Sequence, residues 1–227
     1  MRHGESAANA ERLVTGSSNV PLTETGIKQA REVGKQLSRH YDVAFSSTLF
    51  RARKTLSLAL RAARVNGVSI RLSPCLDERQ LGELELQPVR PIPEYSAGNF
   101  LFAPPGGENY RSVTGRALGF LADIAQWIRE EWRERQRKIE RILICTHMGP
   151  LRIIAGILTE EPDASKVLGL SFRPTEMLKL EWRQLSYPKF RFSEEGTELA
   201  REPSSDPDSD SRRCMEDGLN LPVVREA

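Results

Sequence analysis

Three histidines, His3, His40 and His147, are the residues of this sequence best suited to chemistry at neutral pH, and their settings differ. His3 lies in Arg2-His3-Gly4-Glu5-Ser6, with Asn9 close behind, and His147 follows an apolar run in Thr146-His147-Met148-Gly149-Pro150. Both read as strand ends. Sites of open parallel sheets form at the carboxyl ends of strands, so two histidines placed there, each with a glycine just behind it, could converge on one pocket. His40 instead closes a helical stretch, where its charge meets the carbonyl end of the helix dipole.

Charge suggests what such a pocket would hold. The chain carries 33 Lys and Arg against 31 Asp and Glu, a net of +2 that hides an asymmetry. From Glu194 to Ala227 ten acidic residues face four basic ones, a net of −6; the remaining 29 basic and 21 acidic residues leave +8 on residues 1–193. A basic body suits an anionic ligand. Only 7% of residues are aromatic, and neither a zinc finger nor an aromatic-plus-basic RNA-binding signature is present, so a small anion fits better than nucleic acid.

The elements that must position these residues follow from periodicity. Thr25 to His40 places Ile27, Ala30, Val33, Gly34 and Leu37 on one face, with Thr23 and Thr25 as candidate caps, and predicts an amphipathic helix. Asp42 to Ser46 reads as a strand, Leu49 to Val65 as a helix and Ser69 to Leu72 as a weaker strand. Pro88 to Gly107, rich in Pro and Gly, reads as a long ordered loop or lid. A long helix starts near Asn109 and ends in the charged run up to Glu140; Arg141 to Cys145 is a doubly buried strand, Pro150 to Leu158 a short helix, and Glu176 to Trp182 alternates like a strand. This alternation predicts an α/β fold, a three-layer α/β/α sandwich with a mostly parallel sheet, over residues 1–192. Residues 193–227 form an acidic tail rich in Ser, Pro and Asp, expected to be disordered to about Asp217.

Several further motifs now line up in order: Arg2-His3-Gly4-Glu5-Ser6 with Asn9, Pro21-Leu-Thr-Glu-Thr-Gly26 with Gln29-Ala30, Ser46-Ser47 with Arg51-Ala52 and Thr55, Leu76-Asp-Glu78 with Gly82, Pro104-Pro-Gly-Gly-Glu108, and the strand-borne His147. The chain thereby resembles the histidine phosphatases of the phosphoglycerate mutase-like superfamily, and more closely their phosphatase branch, over about residues 1 to 185. The resemblance implies hydrolysis of a phosphate monoester in two steps through a phosphohistidine, with His3 as the nucleophile. Attack requires an unprotonated imidazole, and neighbouring guanidiniums, Arg2 and Arg51, disfavour imidazolium. The planar forks of those two arginines also match phosphoryl oxygens and remain charged as negative charge spreads over them. By the same resemblance Glu78 gives a proton to the leaving oxygen and takes one from the incoming water, His147 contacts the phosphoryl group, and Asn9 adds a neutral donor. Each assignment has a plain competitor: Arg51 as a solvated helix arginine, Glu78 as surface charge, His147 as a structural histidine. Arg116 is a further candidate to reach the substrate, while Glu108 reads as a cap or as support for an arginine.

Other chemistries fit poorly. Gly34-Lys35 is followed by Gln36 and lacks the P-loop spacing. A cysteine phosphatase would have an arginine six positions after its cysteine, whereas Cys145 has Leu151 there. Asp206-Pro-Asp-Ser-Asp210 has Ser211 in place of the turn glycine of a calcium loop. No cofactor or metal is expected, since arginines and histidines supply the positive charge. The three cysteines, Cys75, Cys145 and Cys214, suggest neither a disulfide framework nor a zinc site. With no secretory start and no membrane-length apolar run, a cytoplasmic location is expected, with a small phosphorylated metabolite as partner and neither membrane nor nucleic acid.

The family pattern is departed from in three places. A buried strand normally runs into the Arg-His-Gly turn, yet only Met1 precedes it here, so the first strand is expected to be truncated, leaving ladder hydrogen bonds unmade and the chain poorly folded. Met148 and Leu86 stand where the family often has glycine. The functions left open are a cofactor-independent phosphomonoesterase, that is a phosphoric monoester hydrolase; a phosphoglycerate mutase-type phosphotransferase; and a truncated, non-catalytic phosphate-binding protein.

Overall fold

Val43-Ala-Phe-Ser46 is buried throughout its length, and the chain places it at the centre of its sheet. A computed structural model describes residues 1–180, together with the backbone of 189–192 and 199–202. Strand β1 (Val43–Ser46) lies between β2 (Ile70–Leu72) and β3 (Ile142–Cys145), parallel to both, with Ala44 opposite Ile70 on one side and Leu143 on the other. The helices are α1 (Ala7–Ala10), α2 (Glu24–Gly34), α3 (Phe50–Ala62), α4 (Pro93–Ser96), α5 (Tyr110–Arg135), α6 (Met148–Thr159) and α7 (Ala164–Gly169).

Strand alternation divides the core between the two faces of the sheet. Val43 and Phe45 join Val113, Phe120 and Ile124 of α5, Ile153 and Ile157 of α6 and Val167 of α7. Ala44, Leu143 and Cys145 join Val33 of α2 and Ala52, Leu56 and Ala59 of α3. Helices therefore cover both faces, the three-layer arrangement that the alternating pattern implies.

Helix ends differ from the periodic reading. Thr23 caps α2 by accepting the Gly26 N–H at 3.0 Å, but the helix stops at Gly34 rather than His40, and α5 stops at Arg135 because Gln136 turns left-handed at φ 51°. Pro88 to Gly107 is anchored as well as looped. Its start pairs with Arg12 to Val14, Phe100 is fully buried, and the Arg79 guanidinium lies against the rings of both Tyr95 of α4 and Tyr110, which meet edge to face.

Met1 to His3 extends the sheet beside β3: the Thr146 N–H donates to the Met1 carbonyl and the His3 N–H to the Thr146 carbonyl, both at 3.0 Å. On the other side of this segment the Arg2 N–H donates to the Glu176 carbonyl and the Thr175 N–H to the His3 carbonyl. Apart from these bonds residues 176–180 take no regular form, so the strand expected there does not extend over them; 181 and 182 lie outside the described residues. Lys189–Phe192 (β4) pairs antiparallel with Leu199–Glu202 (β5), which places a strand inside the tail expected to be disordered; the rest of 193–227 lies outside the described residues. Among the described residues no helix is long and apolar enough to cross a membrane.

The contact of α2 with α3 gives a stability test. A Cβ on Gly34 would lie 2.4 Å from the Ala59 carbonyl oxygen, whereas one on Gly115 in α5 would meet open space. Gly34→Ala is expected to destabilise by about 1–3 kcal/mol through overpacking, and Gly115→Ala to stabilise by up to about 1 kcal/mol through helix propensity. Urea unfolding followed by circular dichroism reads both; equal effects at the two sites would show that helix contact does not set the Gly34 requirement.

Candidate active site

His3 and His147 meet at the carboxyl end of the sheet, their ring centroids 5.0 Å apart and both side chains buried. The fold positions each by backbone. His3 follows the Met1–Arg2 pairing to β3, and the next residue, Gly4, donates its N–H to Thr55 Oγ1 on α3 at 2.9 Å. His147 is the N-cap residue of α6, just past β3.

Hydrogen bonds decide the tautomers. His3 Nδ1 lies 2.6 Å from the Gly4 carbonyl oxygen, which can only accept, so Nδ1 carries the proton and the lone pair of the neutral ring is on Nε2. His147 Nε2 lies 2.7 Å from Ser47 Oγ, whose own proton goes to Asp77 Oδ1 at 2.7 Å; His147 Nε2 therefore donates, and its Nδ1 is buried with no partner. Burial, followed by the guanidiniums of Arg51 and Arg2, holds His3 well below the usual histidine value of 6.5. Burial also leads for His147, with Arg51, His3, Arg116 and Arg2 adding to it. The sequence pointed to guanidiniums as the cause; exclusion of water is the larger one.

Arg51 is fully buried on α3 and not a solvated helix residue. Its Nη1 and Nη2 each donate at 2.7 Å, to the carbonyls of Ser18 and Gly16, and its Nε has no partner. Burial pushes its pKa down to about 10, against the opposing pull of Glu78, Asp77 and Glu85, so it stays charged at neutral pH. Arg2 donates from Nη1 to the Phe172 carbonyl at 2.6 Å and keeps a buried, unpartnered Nε. Glu78 Oε1 accepts the N–H groups of Arg79 at 2.9 Å and Gly149 at 3.1 Å, while Oε2 has only a longer contact with Gly149 N at 3.4 Å. A Cβ at position 149 would lie 2.4 Å from Oε1, so a side chain there would displace this carboxyl from its place.

Asn9 closes a capping box with Ser6 and donates weakly to Thr15 at 3.5 Å. It also lines an open cavity of about 480 Å³ with Arg2, Glu5, Arg12, Leu13, Val89 and Pro174. Arg116 is committed elsewhere, to Glu108 at 3.2 Å and to the Cys75 carbonyl at 2.8 Å, which gives Glu108 the supporting role read from the sequence.

Glu85 has a part that sequence reasoning missed. Its carboxyl accepts Ser17 N–H, the Ser17 and Ser18 hydroxyls and Leu81 N–H, and so fixes the turn whose carbonyls hold Arg51. The signal available was Glu85 itself within the family pattern, but nothing in one dimension tied it to Arg51. Leu86 next to it sits at φ 60°, a backbone region that favours glycine, which accounts for the glycine usual there.

A family model described as the histidine phosphatase superfamily (branch 1) matches residues 1–192. A 2,3-bisphosphoglycerate-dependent phosphoglycerate mutase of Nitrobacter winogradskyi is 33% identical over 132 residues, 53% of this chain and 64% of the mutase, so the chain spans less than two thirds of that relative's length. A metal-independent phosphoserine phosphatase of Arabidopsis thaliana is 29% identical over 194 residues, 80% of this chain and 76% of the relative. Among solved structures a mycobacterial glucosyl-3-phosphoglycerate phosphatase superposes with a TM-score of 0.61 at 22% identity, covering 75% of this chain and 82% of that one, a likeness of fold.

The two buried imidazoles set a pH dependence of stability. Both have folded pKa values below the unfolded value near 6.5, so the unfolded chain binds more protons just below that pH. Their cost to stability is absent above about pH 6.5 and grows as pH falls below it, by at most about 1.4 kcal/mol per pH unit for each histidine. Urea midpoints measured between about pH 7.5 and 5, above most carboxylate titration, are expected to fall; a flat profile would place both rings in water.

Proposed function

Because the chain belongs to the histidine phosphatase superfamily, we propose that it is a phosphomonoesterase that passes a phosphoryl group through His3 to water. The observation that carries this reading is the His3 Nδ1 bond to the Gly4 carbonyl, which leaves Nε2 as a free lone pair beside His147 and two guanidiniums. That arrangement suits a nucleophile and a phosphoryl cradle together.

In the first step Nε2 attacks phosphorus in line, an N–P bond forms and the P–O bond to the leaving group breaks. The leaving oxygen takes a proton from the Glu78 carboxyl, whose Oε2 is the less engaged oxygen. In the second step Glu78, now a carboxylate, takes a proton from water as the water oxygen attacks phosphorus and the N–P bond breaks. Inorganic phosphate leaves and His3 is again neutral. Arg51 and Arg2 donate to the non-bridging oxygens as charge accumulates on them, and Asn9 adds a donor at the cavity wall. A volume of about 480 Å³ beside Arg2 and Asn9 suits a small phosphorylated metabolite as substrate.

A second reading is favoured by the mutase among the relatives: the same phosphohistidine returns its group to another hydroxyl of the bound product. A product assay separates the two, since free phosphate accumulates only with the phosphatase.

His3→Ala is expected to reduce hydrolysis of p-nitrophenyl phosphate to below a few per cent, and labelled substrate to leave acid-labile, base-stable phosphate on His3 of the unaltered chain. Residual turnover above that level would mean a different nucleophile. Phosphate binding by a folded chain with neither turnover nor trapping would mean a binding protein.

A further inference from the structure

Asp77, between the core residue Leu76 and Glu78, has no part in the mechanism above, yet it is the end of a chain of hydrogen bonds that begins at His147. His147 Nε2 donates to Ser47 Oγ and Ser47 Oγ donates to Asp77 Oδ1, each at 2.7 Å. The Asp77 carboxyl is itself fixed by the Thr48 N–H at 2.7 Å and the Thr48 hydroxyl at 2.5 Å, and Ser47 Oγ also accepts the Leu49 N–H at 3.1 Å. The protons of the His147–Ser47 relay are thus directed toward Asp77.

The network leaves His147 Nδ1 as a buried lone pair without a partner. The non-bridging oxygens of a dianionic phosphate monoester cannot satisfy a lone pair, because they too only accept; the contact requires a second proton on the ring. The groups facing His147 otherwise oppose that proton: Arg51 from α3, Arg116 from α5, and Arg2 and His3 from the amino-terminal segment. Glu78 reaches the same helix start through Gly149, but its carboxyl is committed to backbone N–H groups and to the reaction. Asp77 is the carboxyl tied to the ring itself.

We propose that Asp77 is a positioning residue that, through the Ser47 hydroxyl, fixes His147 with Nε2 as donor and enables the ring to take up a proton on Nδ1 when a phosphoryl group binds. His147 then meets the phosphoryl group as an imidazolium, and binding of the anion draws one proton from solvent. The proposal rests on the phosphatase reading for its kinetic consequence but not for its binding consequence.

Asp77→Asn is the informative variant. The Thr48 N–H requires an acceptor at the Oδ1 position, so the carbonyl of the introduced amide occupies it and still accepts from Ser47, while the amide nitrogen turns toward the Thr48 hydroxyl. Geometry and tautomer are kept while the charge is removed. In the full chain the basic limb of the kcat profile is expected to move to lower pH, so that kcat falls about tenfold near pH 8 and changes less than about threefold near pH 6. Ser47→Ala, which breaks the link, is expected to shift the limb in the same direction, and Ser47→Thr to restore it. Titration of the phenylphosphonate dianion, whose oxygens only accept, in buffers of different ionisation enthalpy gives the second readout: the unaltered chain takes up close to one more proton on binding than Asp77→Asn. Equal pH limbs with equal proton uptake would overturn the proposal. Loss of proton uptake in a chain that never phosphorylates His3 would support the relay and overturn the phosphatase reading instead.

Discussion

The structure is organised around a guanidinium that has been taken out of water without a countercharge in contact. Arg51 is fully buried, its two amino groups rest on backbone carbonyls, and among the described residues no carboxylate lies within ion-pair distance of it. Burying an ion on neutral partners alone costs several kcal/mol. The charge is tolerable because the carbonyl dipoles offset part of that cost and Glu78, Asp77 and Glu85 act on it from farther away. In the proposed reaction an arriving phosphoryl dianion is the countercharge that Arg51 meets. Burial in the first place, and the same positive field in the second, keep both imidazoles neutral, which is the state a nucleophile requires.

Holding that charge in place falls to loops, and the loops are held by carboxyl groups bonded to backbone. Glu85 gathers the Ser17–Ser18 turn so that the Gly16 and Ser18 carbonyls point at Arg51; Asp77 ties the Ser47–Thr48 turn after β1; Glu78 spans from the loop after β2 to the start of α6. Three carboxyls thus surround the positive centre without neutralising it by contact. The arrangement confers rigidity while leaving donors free for a ligand.

Much of this was legible in sequence, for identifiable reasons. The apolar runs at 43–46 and 142–145 marked strands, although β3, expected to be buried on both faces, keeps Ile142 and Ile144 half-buried, and the histidine after the second run marked its carboxyl end. The cores of α2, α3 and α5 followed from the spacing of their apolar residues. Helix ends were not legible, because α2 stops at Gly34, short of its apolar period, and α5 at a left-handed residue at 136, and neither end has a periodic signature. Nor was the absence of a regular strand over residues 176–180, where the sequence alternates but Glu176 bonds back to Arg173 as well as accepting from Arg2. His3, His147, Arg2, Arg51 and Glu78 were singled out by motif, and the structure brings the two rings together with both arginines close enough to act on them. Glu85 was missed because its function is to hold a turn 68 residues away in sequence, a relation visible only after folding.

One consequence concerns the start of α6. His147 is its N-cap residue and Gly149, two residues on, donates to Glu78, so the second imidazole and the proposed acid are both registered to the same helix terminus. Helix N-termini present unpaired N–H groups and a positive dipole end; here one of those donors goes to the Glu78 carboxyl and thereby sets its distance from His147. A displacement of α6 along its axis would move both groups relative to His3, which is fixed instead by β3 and by Thr55 of α3. The apolar packing of Ile153, Ile154 and Ile157 against α5 and α7 opposes such a displacement, which ties the geometry of the site to the core on that face of the sheet and not to the loops around it.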